Sequence, residues 1–149
     1  MKKLTKSILT LILTLSLFTS LALVAYAEDV NSDVYYNEIV VMVNDANSTI
    51  QNKIDEAVRQ ADMLTLAYNK ALAAIEGTGN YQDKSSAINQ AYNYGLDAIE
   101  DKLIKETNEI SDKVIEEAGE KGVIVQCELV PVQLGDRVVM VDPLIIING

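Results

Sequence analysis

Residues 61–99 read ADMLTLAYNKALAAIEGTGNYQDKSSAINQAYNYGLDAI, and this stretch decides the fold. At its centre Gly77-Thr78-Gly79-Asn80 is a cluster of helix C-cap and turn residues. Before it, Ala61, Leu64, Tyr68, Leu72 and Ile75 recur every three or four positions; after it, Ile88, Tyr92, Leu96 and Ile99 do the same. That spacing marks one apolar face on each of two helices. Helices joined by so short a loop run antiparallel, side by side. With the turn centred near Asn80, Leu72 faces Ile88, Tyr68 faces Tyr92, Leu64 faces Leu96 and Ala61 faces Ile99. Several of these pairs set a small residue against a large one, as interdigitating layers require.

Working backwards, the first stripe continues through Ala57, Ile54, Ile50, Ala46, Val43 and Ile39 to Tyr36. It predicts a helix over about residues 34–76, with the polar pairs Asn44-Asp45, Asp55-Glu56 and Arg59-Gln60 on its wet side. The β-branched run Ile39-Val40-Val41-Met42-Val43 also suits a strand, followed by a turn at Asn44–Ser48. The unbroken register of the stripe favours a continuous helix.

Working forwards, the second helix is expected over about residues 84–118. Its stripe repeats every eleven residues: Ile88, Ile99 and Ile110; Tyr92, Leu103 and Val114; Leu96, Thr107 and Ala118. Such a period gives nearly straight or slightly right-handed packing instead of a left-handed heptad coil. Asp101 with Lys105, Glu109 with Lys113 and Glu117 with Lys121 are acid-first pairs four residues apart, each a weak helix support.

Gly119 and Gly122 end the helical pattern. Val123 to Val130 then reads as a strand, with Cys127 inward beside Val125 and Leu129 in the alternation. Gly135-Asp136, between Val132-Gln133-Leu134 and Arg137–Val141, is a tight hairpin signal. Leu144–Ile147 is a candidate third strand, and Pro131 must lie at an edge or bulge. So small a β unit needs an apolar surface to pack on. The start of the first helix, apolar nearly all round from Tyr35 to Val43, is the expected place, giving a β base under a helical stalk.

At the other end of the chain, Lys2, Lys3 and Lys6 precede an uncharged run from Ser7 to Ala27 that closes on Ala25-Tyr26-Ala27, before Glu28-Asp29. These are the regions of a secretory signal peptide in order, with cleavage expected after Ala27. The run is also long enough for an uncleaved anchor. The whole chain carries 12 basic and 22 acidic residues. Without its three leader lysines the mature part stands at nine against 22, a net −13. A surface this acidic repels phosphate backbones and anionic lipid, which argues against nucleic-acid partners and against electrostatic membrane binding after signal cleavage.

The residues offer little chemistry. There is no histidine and one cysteine, so Cys-His catalysis, an internal disulfide and a zinc site are all excluded. Cys127 is expected as a small core residue, with an intermolecular disulfide as the alternative. Asp45 to Glu56 imitates the ends of a calcium loop, but its sixth position is Ile50, where the turn needs glycine. Asn47-Ser48-Thr49 matches a glycosylation sequon and is read as chance, because the lysine-led leader looks bacterial. The acidic groups Asp97, Glu100, Asp101 and Glu116, Glu117, Glu120 fall opposite the stripe, where solvated charge is the default. Met63 and Leu66 lie off the first stripe, and Ile104 and Ile115 widen the second. These four are the candidate partner surface.

The reading is a mainly α protein with a small β part (α+β): a long antiparallel helical hairpin plus a C-terminal two- or three-stranded antiparallel β unit. Residues 1–27 are the signal peptide, 28–122 the helical hairpin, and 123–149 the β unit on its base. The expected role is a non-catalytic, secreted or cell-surface interaction or assembly module, with a protein partner or a homo-oligomer and no cofactor or metal. A holdase-like chaperone presenting the hairpin is the alternative. A carboxylate hydrolase is a third class, and it needs a cleft the sequence does not reveal.

Overall fold

The computed structural model describes residues 30–147, with side chains from residue 34; the signal peptide expected at residues 1–27 lies outside the described residues. Two long helices, α1 (Val30–Ile75) and α2 (Tyr81–Glu120), pack together and are followed by four strands: β1 (Ile124–Cys127), β2 (Val130–Leu134), β3 (Arg137–Val141) and β4 (Leu144–Ile147). The protein is thus mainly helical with a small antiparallel β part. Residues 39–43 are helical, in keeping with the unbroken stripe. Among the described residues no helix is long and apolar enough to cross a membrane.

The register of the hairpin follows the stripes. The Tyr68 and Tyr92 rings stack with centroids 4.5 Å apart. A Cβ on Gly95 would come within 2.7 Å of Leu64 Cδ2, so glycine is what lets the helices close up beside the tyrosine pair. In the eleven-residue repeat, Tyr92, Leu103 and Val114 are buried, as are Leu96, Thr107 and Ala118. Buried Thr107 satisfies its hydroxyl on its own helix, donating to the Leu103 carbonyl at 2.9 Å. The acid-first pairs do not form as expected. Lys105 and Lys113 turn to the acids four residues later, Glu109 (3.9 Å) and Glu117 (3.8 Å), and Lys121 pairs with Glu38 across the base.

The C-terminal unit packs on Ile39 and Val43 as expected, but it has more strands than two or three and reaches further along the helices. It has four strands in two two-stranded sheets, β1 with β4 and β2 with β3. Paired residue numbers sum to the same value in both ladders, as in Cys127 with Leu144 and Val130 with Val141. The two sheets are therefore one long β-hairpin with an interrupted waist. The interruption has a chemical cause. Glu128 N–H donates to the Pro143 carbonyl at 2.8 Å, but Pro143 has no N–H to return the bond.

At the waist the ribbon also changes face. Inward positions advance by two along each arm but by three across the waist, from Cys127 to Val130 and from Val141 to Leu144. Leu129, expected inward, is instead 63% exposed. The lower arm packs Val125 and Leu144 on Ile39, Val43, Val114 and Ala118. The upper arm packs Val132, Leu134, Val139 and Val141 on Ile54, Ala61, Tyr92 and Leu96. A ribbon with two apolar arms covers the helix pair along much of its length instead of sitting beneath it. Each of the buried valines and leucines of the ribbon is worth about 1.5–3 kcal/mol.

Two polar side chains fix the waist to the helices. The Asn47 amide donates to the Leu144 carbonyl and accepts from the Leu144 N–H, both at 2.8 Å, as a strand neighbour would. From α2, buried Ser111 donates to the Asp142 carbonyl at 3.0 Å. The Asn47 side chain is thus fully engaged on the backbone of β4, which gives the sequon residue a structural role.

Candidate functional site

The ribbon covers one side of the helix pair, and the opposite side carries an open groove between the helices. Near the middle of the hairpin two ion pairs bridge this groove: Lys53 with Glu106 at 3.0 Å and Lys102 with Glu56 at 3.2 Å. They lie over Ala57, Ile99 and Leu103, and almost no free space remains beneath them. The Lys102 ammonium, by hydrogen bond and by charge, holds the Glu56 carboxyl below its usual range, while Glu106 raises Lys53 in the same two ways. A depressed carboxyl contributes stability above its unfolded pKa and loses it as pH falls through the folded value, so the Glu56 bridge is present at neutral pH and lost in acid.

Between these bridges and the Glu38–Lys121 pair at the base, the groove widens into an open trough of about 590 Å³. Its floor is Met42, Ala46, Ile110 and Val114; its rim carries Glu38 and Asp45 on α1, and Glu109 and Glu117 on α2, with Lys113 as the one cation. Such a trough, apolar below and charged around the edge, can take an inserted side-chain row.

The sequence-level candidates are placed separately. Met63 (72% exposed) and Leu66 (56% exposed) stand on the distal part of α1. Ile104 is half-buried against the upper core and Ile115 against the lower one. The structure does not bring the four into one patch. Tyr94, 78% exposed on α2, is a further apolar surface residue, and its position two residues short of buried Leu96 turns it outward. Asp97 and Glu100, expected to be merely solvated, both pair with Arg137 at the start of β3, so they hold the upper arm of the ribbon. Residues 45–56 lie wholly inside α1, so no loop exists there to wrap a cation.

Cys127 is free and half-buried at the waist. Burial pushes its thiol up, and the charge of Asp142 adds to this; the neighbouring Ser111 hydroxyl opposes it. A thiol held protonated is a poor nucleophile. Its alkylation by iodoacetamide at mildly alkaline pH is expected to run about tenfold slower than that of an unstructured cysteine peptide. Equal rates would mean that the waist is open in solution.

No protein-family model, curated protein or solved structure matches the chain.

Proposed function

We propose that this chain is a non-catalytic interaction and assembly module, acting outside the cell or at its surface, whose helical hairpin is the presented element. The observation that carries the reading is where the ribbon stops. The Gly135 turn lies against the Tyr92 hydroxyl, Thr65 and Leu96, with a φ of +60° and no room for a Cβ. Above that level the stripe continues through Leu72, Ile75 and Ile88, none of which is fully buried, whereas at the level of the ribbon most stripe residues, Ile50, Ile54, Ala61, Tyr92, Leu96 and Leu103 among them, are buried. A pair of helices alone covers one face of each, and a further chain is the natural way to cover more.

Charge favours a second copy at this end. From Met63 to Tyr94 the charged residues are Lys70, Glu76, Asp83 and Lys84, two of each sign. The net −10 of the chain therefore lies entirely outside the tip. Two copies meeting tip to tip keep their acidic bodies apart, which side-by-side association does not.

Size-exclusion chromatography with light scattering tests this. The mature chain, from Glu28 on, is expected to elute as a species heavier than its monomer. Leu66→Glu combined with Tyr94→Glu, both exposed, is expected to return the monomer without altering the melting temperature. A wild-type monomer throughout the micromolar range rejects tip-to-tip assembly.

A further inference from the structure

The interhelical groove is closed in its middle because a cation faces an acid across it, at Lys53 with Glu106 and at Lys102 with Glu56. Below them the next bridge is Glu38 with Lys121 at the very base, and among the described residues no ion pair crosses between. Lys113, which the register of the ion pairs sets across from Asp45, leans along its own helix to Glu117, and among the described residues the other rim charges are Glu38, Asp45 and Glu109. Glu38 finds its cation outside the rim, in Lys121. With no bridge closing it, the groove stays open over Met42, Ala46, Ile110 and Val114.

We propose that this basal groove binds a cationic amphipathic helix of a partner protein. The partner's apolar face covers the floor, and its lysines or arginines occupy the places that Lys53 and Lys102 fill higher up. The lining on α1 runs from Glu38 to Thr49, a length of about 16 Å or three helical turns. That matches a partner helix anchoring through side chains at i, i+3 or i+4, and i+7. A second copy of this chain does not suit the site, because its helices bring further acid against an acidic rim. The inference rests on the reading as an interaction module but uses a different surface, so it stands or falls apart from tip-to-tip assembly.

The test uses the purified chain and a fluorescent helical peptide of about 14 residues, leucine and lysine at helical spacing, read by anisotropy. The peptide is expected to bind with low-micromolar affinity, more weakly as salt rises. Its counterpart with glutamate in place of every lysine is expected not to bind. Asp45→Lys replaces a rim acid by a cation and is expected to weaken binding about tenfold or more by repelling the peptide's lysines. Asp83→Lys makes the same change of charge at the far end of the hairpin and is expected to leave affinity within about twofold. If the two variants weaken binding equally, attraction to the overall charge explains it and the groove is not the site. Absence of binding, or equal binding of the glutamate peptide, also overturns the proposal. Asp45 is exposed, so its replacement keeps the core intact.

Discussion

With residues 123–149 removed, the helical hairpin is expected to lose its cooperative unfolding transition. The deletion takes away Val125, Val132, Leu134, Val139, Val141 and Leu144, all buried against the helices. At about 1.5–3 kcal/mol each, their combined burial equals or exceeds the whole stability of a typical domain, about 5–15 kcal/mol. It also bares the faces of Ile39, Ile50 and Leu96, which are at most 1% exposed in the intact fold. Helix propensity and the remaining contacts leave partial helicity, because most helical stability in a protein comes from packing of the apolar face. Far-UV circular dichroism should show a reduced signal that declines gradually on heating. A sharp transition at the wild-type temperature would show that the ribbon is not structurally required.

Asn47→Leu is expected to destabilise the fold by about 2–5 kcal/mol, a large cost for one side chain of similar volume. The substitution leaves the Leu144 N–H and carbonyl without the partners they have at 2.8 Å. Each orphaned, partly buried backbone group costs about 1–3 kcal/mol. Ser111→Ala removes a single bond to the neighbouring Asp142 carbonyl and should cost only about 1 kcal/mol. Chemical denaturation of both variants and the double mutant measures this. The two sites grip adjacent parts of one segment, so their effects should not be additive. If Asn47→Leu costs less than Ser111→Ala, the amide is not the principal fastener of the waist.

The helical hairpin was legible in the sequence because its signals are local and repeated. The stripe, the Gly77–Asn80 punctuation and the eleven-residue repeat together put Tyr68 against Tyr92, where the rings stack. The β part was legible only in part. Gly135-Asp136 announced its turn, but the run Val123–Val130 looks like one strand until Pro143 is known to face Glu128. The change of face was present as a step of three from Cys127 to Val130, and was hidden because apolar Leu129 filled the expected inward place. The basal groove could not be read at all. Its floor residues belong to the same stripes as the core, and its rim residues look like ordinary wet faces. Only the position of the ribbon decides which side of the helix pair is left open.

The tie between Asn47 and Leu144 also bears on the order in which the molecule assembles, since it joins positions 97 apart in the chain. The helix pair closes over a loop of a few residues and meets its partner early. The ribbon's arms likewise zip from the Gly135 turn by near neighbours. Joining the two is the one step of high contact order, and it waits until the last strand has been synthesised. During synthesis the chain therefore carries a preformed but half-clad hairpin, and the lower core is completed only once β4 is available. Lesions at the Asn47 clasp then act mainly by hastening unfolding, whereas lesions near the Gly77–Asn80 loop act mainly by slowing folding.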